Sequence, residues 1–188
     1  AIPLLDGSSP YQPIPFQYSL HIVDTPGAKA THQAWLWDGK GGKPQAEMVA
    51  RLMKLIGKKG SIVAYNAPYE KRILKLAAKA FPQYAKWVEA VNERFVDLLV
   101  PFRSFHVYHP EQHGTASIKA VLPALTGKGH EGMEIADGGT ASAAFLTLLE
   151  SPVSVKDRMK IRRALEEYCQ TDTLAMLPGL YRRLDAGD

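Results

Sequence analysis

The sequence predicts an α/β fold in which a mixed sheet is flanked by helices, and three observations carry that prediction. Residues 16–22 alternate apolar and polar positions with a period of two. A short apolar run, Ser61-Ile62-Val63-Ala64-Tyr65, passes directly into a helical pattern. Helical periodicity then dominates the second half of the chain. The order β-β-α-β-α followed mostly by helix packs naturally as a sheet covered by helices. The 188 residues fit one domain, 1–188, with enough chain to bury a core. Hydrophobic residues at 46% and charged residues at 22% exclude a disordered chain.

Residues 1–15, rich in Pro and Gly, read as an extended, irregular lead-in. In the first strand Phe16, Tyr18, Leu20 and Ile22 face one way and Gln17, Ser19 and His21 the other, the pattern of a half-buried strand. Asp24-Thr25-Pro26-Gly27 has turn chemistry, and residues 32–37 form the expected hairpin partner. Beyond Gly39, Gly41 and Gly42, apolar positions Met48, Val49, Leu52, Leu55 and Ile56 predict an amphipathic helix over 45–56, with Gly57 just past its end. The run 61–65 suits a buried parallel strand. Helices are expected over 69–80, 84–91 and 93–104, with Val107-Tyr108 a short edge strand. Ser117 and Thr140 are the expected caps of helices through Leu125 and Leu149. Ser154 and Asp157 stand at capping-box spacing before a long helix to about Leu184, kinked at Pro178-Gly179.

No apolar run approaches the ~20 residues of a membrane span, and no signal peptide is visible. The single Cys169 excludes an internal disulfide framework and suits a reducing compartment, so a cytoplasmic location is expected. The first residue is Ala1, so the chain is expected to be cut from something longer or processed. Net charge is only +4, but between Arg51 and Lys86 nine basic residues face the single acid Glu70. Such a field attracts phosphates; a set of solvated helix faces explains it equally well.

Two spots combine polar residues with a placement suited to chemistry. In Tyr65-Asn66-Ala67-Pro68-Tyr69-Glu70 a buried strand ends, the chain turns, and Glu70 emerges in the first turn of a helix. Ligands gather at such strand ends, and the helix dipole favours an acid there. Asn66 and Glu70 could also simply cap the helix. In Tyr168-Cys169-Gln170-Thr171-Asp172, Tyr168 and Asp172 share one helix face with Ile161 and Leu165, directed at the core. An acid there needs a cation, a lysine or a backbone partner.

Together the two spots resemble the second and third motifs of the DEDD exonuclease superfamily, in the variant with a tyrosine in the third motif: Asn66, Tyr69 and Glu70, then Tyr168-x-x-x-Asp172. A longer resemblance, through IPLLDGSSPYQPIPFQYSLH, GSIVAYNAPYEKRIL, NERFVDLLVPF, SIKAVLPAL, IADGGTASAAFL and EYCQTDTLAM, is to a bacterial domain family of unknown function. That family resembles ribonuclease H-like nucleases and usually sits beside a RecB-like nuclease module in the same polypeptide. The resemblance implies a ribonuclease H-like sheet and 3'-5' exonuclease-like hydrolysis of DNA or RNA with Mg²⁺ or Mn²⁺. It makes Glu70 and Asp172 metal ligands and Tyr168 the residue that orients water, with Asn66 beside the nucleic acid.

Lys71, Lys75 and Lys79, four residues apart on one helix, could track the nucleic-acid backbone or be an ordinary wet face. The superfamily's first motif, Asp-x-Glu on the central strand, has no counterpart in the chain, since Asp6 stands in a turn context. The central first strand is therefore expected to be missing, ion binding to be weak, the fragment to be inactive, and a homodimer to form through exposed strand edges. A non-catalytic nucleic-acid-binding or scaffolding domain of the same fold is the alternative. Asp97 could be a further acid near the site, a cap or an ion-pair partner. Asp137 suits turn and cap chemistry, and His106, His109 and His113 suit a polar loop better than a zinc site.

Overall fold

The computed structural model of the protein describes residues 1–2, 9, 11–25, 28–127, 129, 132–150 and 152–177. Asp6, Pro26, Gly27, Pro178, Gly179 and Leu184, on which expectations above rest, lie outside the described residues.

Strands β1 (Gln17–Ile22) and β2 (Thr31–Leu36) form the antiparallel hairpin expected from the period-two pattern, with Tyr18 opposite Trp35 and His21 opposite His32. Helix α1 (Pro44–Leu55) follows, its Met48 and Val49 buried. Strand β3 (Ile62–Ala64) leads into α2 (Ala67–Ala80), and a 3₁₀ turn over Pro82–Tyr84 leads into α3 (Ala85–Asn92). Strand β4 (Phe95–Asp97) pairs in parallel with β3, Ala64 opposite Asp97. Short α4 (Leu99–Arg103), α5 (Ile118–Thr126), α6 (Gly138–Glu150) and α7 (Val155–Leu174) complete the chain.

The fold is mixed α/β, but the strands do not form one sheet. Among the described residues β1-β2 and β3-β4 are two separate two-stranded sheets.

Other expectations are corrected. Residues 93–104 are not one helix. Phe95 and Val96, an aromatic and a β-branched residue, pair with β3, and Asp97 then starts the short α4 by accepting the Leu99 amide at 3.0 Å. Val107-Tyr108 is no strand. Phe105 takes a positive φ of 55°, so the amides of His106 and Val107 both turn back to the Pro101 carbonyl. The α6 cap is Asp137 rather than Thr140. Its Oδ1 accepts the Thr140 amide at 2.9 Å and its Oδ2 the Thr140 hydroxyl at 2.7 Å, which moves the helix start upstream. Among the described residues α7 ends at Leu174, followed by a turn over 175–177; the rest of the span expected to be helical, from 178 to 184, lies outside the described residues. Ser117 and Ser154 do cap α5 and α7, accepting the amides of Lys119 and Asp157.

The main core joins the hairpin to α1, α2, α3, α6 and α7. Phe16 stacks on Phe145 with centroids 4.3 Å apart, and Val49, Ala77 and Leu165 are fully buried. Burying one such side chain contributes roughly 1.5–3 kcal/mol. Arg162 of α7 donates to the carbonyls of Leu36 and Trp37, which fixes the helix across the end of β2. A second, smaller cluster gathers Phe102, Val121, Leu122, Leu125 and Ala175, with Tyr65 packed against it. It holds the end of α7 and the end of β3 against the same apolar group.

Candidate functional site

The parallel pair β3-β4 ends in two polar residues at one level. Ala64 passes through Tyr65 to Asn66, while its register partner Asp97 closes β4. Asn66 adopts the left-handed conformation, φ 74° and ψ 52°, which turns the chain sharply into α2. An Asn tolerates that region better than most residues. Its side chain makes no capping bond; its own amide donates to Asp97 Oδ1 at 2.9 Å. The reading of Asn66 as a plain side-chain cap is therefore not what the fold uses.

This turn sends Glu70 inward from the first turn of α2. Its Oε2 is buried without a hydrogen-bond partner. Burial is the main cause that pushes its carboxyl up to about 7, and the nearby Asp97 charge adds to it. Asp97 Oδ1 already accepts two amides, from Asn66 and Leu99. Two carboxyl groups thus share the carboxyl ends of the parallel strands. Tyr65 closes one side, its hydroxyl donating to the Ala116 carbonyl at 2.6 Å, and burial and Asp97 push its phenol up to about 12.

On α7, Tyr168 and Asp172 meet as the four-residue spacing requires. Burial raises the Tyr168 phenol far above its usual range, and Asp172 adds to this by its charge and by accepting the hydroxyl. Cys169, between β1 and Asp172, is pushed up to about 12 mainly by burial, so it stays a thiol. The next residue on that side, Thr173, ties α7 to the hairpin: its Oγ1 lies 2.6 Å from Ser19 Oγ and 3.0 Å from His21 Nδ1. Ser19 Oγ in turn lies 2.9 Å from His32 Nε2.

The expected site residues therefore fall in two groups. Glu70 and Asn66 stand with Asp97; Tyr168 stands with Asp172. Both groups border the small apolar cluster, through Tyr65 on one side and through Ala175, three residues past Asp172, on the other. Among the described residues no group of three or more His, Cys, Asp and Glu side chains is placed to hold a metal ion.

The lysines divide as well. Lys71 is half-buried with its ammonium over the Phe95 ring, 5.6 Å from the centroid, while Lys75 and Lys79 are exposed. His109 Nδ1 accepts the Glu111 amide, and His113 takes a left-handed turn.

Sequence reasoning left Asp97 among several roles. The pattern that identifies it is Phe-Val-Asp, a strand triplet ending in an acid, as Ile-Val-Ala ends at Tyr65-Asn66. The Ser19–Thr173 and His21–Thr173 contacts had no linear signal, because Thr173 comes from α7, far along the chain.

A family model described as a domain of unknown function, DUF2779, matches residues 1–117. The chain belongs to the DUF2779 family. The part of this DUF2779 protein that matches runs from the lead-in through β4 and α4, and includes Asn66, Glu70 and Asp97. Tyr168 and Asp172 lie beyond it. No curated protein and no solved structure matches the chain.

Proposed function

We propose that this DUF2779 protein is a metal-dependent nuclease-type domain that hydrolyses phosphodiester bonds of DNA or RNA in the manner of 3'-5' exonucleases. The observation that carries the proposal is the orphaned, buried Oε2 of Glu70 beside Asp97. Two carboxyl groups in this position repel each other unless a proton or a cation intervenes. Mg²⁺ is commonly held by one or two carboxylates together with water and phosphate oxygens, and Mn²⁺ by similar oxygen ligands, so Glu70 and Asp97 fit such an ion. A divalent ion held there supplies positive charge against the phosphate oxygens of the substrate.

The remaining roles belong to the chain's own side chains. Tyr168 keeps its proton at neutral pH and donates it to Asp172, which leaves the phenol oxygen to accept a hydrogen bond from an attacking water and so orient it, rather than to remove a proton from it. Asp172 accepts that hydroxyl and fixes its direction. Asn66 and the exposed Lys75 and Lys79 face the nucleic-acid backbone in this reading, while Lys71 is partly held by Phe95. The resemblance of the two motifs to ribonuclease H-like exonucleases supports the assignment, as does the neighbouring RecB-like nuclease module that the longer resemblance implies.

A second reading, a non-catalytic domain that binds nucleic acid or positions a neighbouring nuclease, is favoured by the placement of Asp172 with Tyr168 rather than in one group with Glu70 and Asp97 among the described residues. One experiment separates the two. Labelled single-stranded DNA and RNA are incubated with Mg²⁺ or Mn²⁺ and the protein, its Glu70→Gln form or its Asp172→Ala form. The expectation of an inactive fragment is replaced in this reading because Glu70 finds a second carboxyl in Asp97: metal-dependent degradation that falls by about 100-fold or more in each variant, on the order of 3 kcal/mol in the barrier, is the expected result. Binding without degradation in every form establishes the scaffold reading instead. Thermal melting gives an independent check, since Mn²⁺ is expected to raise the Tm of the wild type and not that of Glu70→Gln.

A further inference from the structure

An open groove of about 440 Å³ runs between the hairpin and α1, lined by Tyr18, Gln33, Glu47, Arg51 and Lys54 among others. It lies on the other face of the hairpin from the Ser19 and His21 contacts with α7, because successive strand residues point to opposite sides. None of the residues proposed above for catalysis lines it.

The groove is built around one guanidinium. Glu47 Oε1 accepts the indole N–H of Trp35 at 2.8 Å and Arg51 Nε at 2.9 Å. Trp35 is buried, so the carboxylate is fixed from below, and the carboxylate in turn fixes Arg51. Only the Nε edge of the guanidinium is used. Among the described residues Nη1 and Nη2 have no hydrogen-bond partner, and the side chain is 53% exposed, which leaves both groups open as donors to a ligand in the groove. Lys54, one turn further along α1, adds a second cation to the same wall. Tyr18, stacked against Trp35 with centroids 5.9 Å apart, contributes a phenol, and Gln33 a side-chain amide. A planar fork held by one carboxylate and free on its other edge matches a phosphate in two-point geometry.

We infer that this groove is a binding site for the phosphodiester backbone of a single nucleic-acid strand, with Arg51 as its anchor, Lys54 as a second phosphate contact, and Glu47 as the residue that positions Arg51. The inference rests on the proposed function only for the identity of the ligand, and it concerns a different surface and requires no metal. Glu47 is the informative residue. If binding followed bulk charge, removing this acid would tighten it. In the groove the same change frees Arg51 to wander and weakens binding.

The test is fluorescence anisotropy with a labelled single-stranded oligothymidylate in EDTA, where cleavage plays no part. Arg51→Gln is expected to weaken binding by about tenfold or more, and to reduce the salt dependence by roughly one released ion. Glu47→Ala is expected to weaken binding severalfold, and Lys156→Gln, on the exposed first turn of α7, to leave it within about twofold. Thermal melts show which variants are folded, and Arg51→Lys, which keeps the charge but not the fork, is expected to fall between wild type and Arg51→Gln.

Absence of oligonucleotide binding by the wild type overturns the inference. So does a Glu47→Ala protein that binds as tightly as wild type or more tightly, or equal losses from Arg51→Gln and Lys156→Gln. Inorganic phosphate that competes as well as the oligonucleotide, phosphate for phosphate, overturns the assignment to a strand. Because cleavage is read separately in Mg²⁺ or Mn²⁺, a failed nuclease reading with intact EDTA binding leaves the groove standing, and the reverse result removes the groove alone.

Discussion

Glu70 and His21 shape the stability of this protein in opposite pH ranges. The Glu70 carboxyl rises from 4.5 in a solvated chain to about 7 in the fold, mainly through burial, opposed by a hydrogen bond from its own backbone amide and added to by the Asp97 charge. A raised carboxyl stabilises the fold most fully below 4.5, and that contribution is lost as pH climbs through about 7. The size is on the order of 3 kcal/mol, reduced by whatever solvent reaches the group. Glu70→Gln is therefore expected to melt well above the wild type at about pH 8 and close to it at about pH 4. His21 works the other way. Burial and then His32, its cross-strand partner, lower its ring below 6.5, so its contribution is present above that value and fades as the solution turns acid. A Glu70→Gln melting curve parallel to wild type at every pH would show that the carboxyl is solvated and would remove the main support for a cation beside it. The position of Glu70 was readable from the strand–turn–helix pattern. Its orphaned oxygen was not, because burial depends on Asp97 and on elements distant in sequence.

At the scale of elements, the parallel strands depend on a clamp that the sequence did not reveal. Arg94, just before β4, donates through Nε to the Gly60 carbonyl at 2.8 Å, and through Nη1 and Nη2 to those of Gly57 and Lys59 at 2.6 Å each. It thereby closes the loop between α1 and β3, where Gly60 has a φ of 89°. The amide of Ile62 then donates to the Arg94 carbonyl and starts the β3-β4 register. Arg94→Ala is expected to destabilise the fold by about 2 kcal/mol, and Arg94→Lys by somewhat less, since one ammonium cannot span three carbonyls. Urea unfolding followed by circular dichroism measures both; unchanged midpoints would mean that the clamp is peripheral. The helices α1, α2, α3, α5 and α7 were legible because their apolar positions recur at helical spacing and Ser117 and Ser154 mark two of the starts. Strand β4 was not, because three residues carry too little periodicity to outweigh the helical surroundings. Its pairing with β3 decided the matter.

At the scale of the molecule, two small sheets stand where one mixed sheet was expected. Among the described residues β1 pairs only with β2 and β3 only with β4, so each pair has an edge whose backbone groups lack a ladder partner. On the face of the parallel pair Val63 and Val96, directly opposite each other, are both exposed. Parallel strands are ordinarily covered on both faces. Self-association through these edges is the expected behaviour. Sedimentation velocity over a range of concentrations checks it, and a monomer at the highest concentration would rule it out.

The sequence by itself determined the α/β class, the hairpin, most of the helices and the two short motifs around Glu70 and Tyr168, because each follows from local periodicity or from spacing within one helix. It also carried membership of the DUF2779 family. Only the tertiary structure decided that Asp97 belongs with Glu70, that Thr173 reaches Ser19 and His21, and that Trp35 and Glu47 aim Arg51 outward. Each of these joins residues from different elements. Their meeting is set by how the elements pack, and no local stretch of sequence encodes that distance.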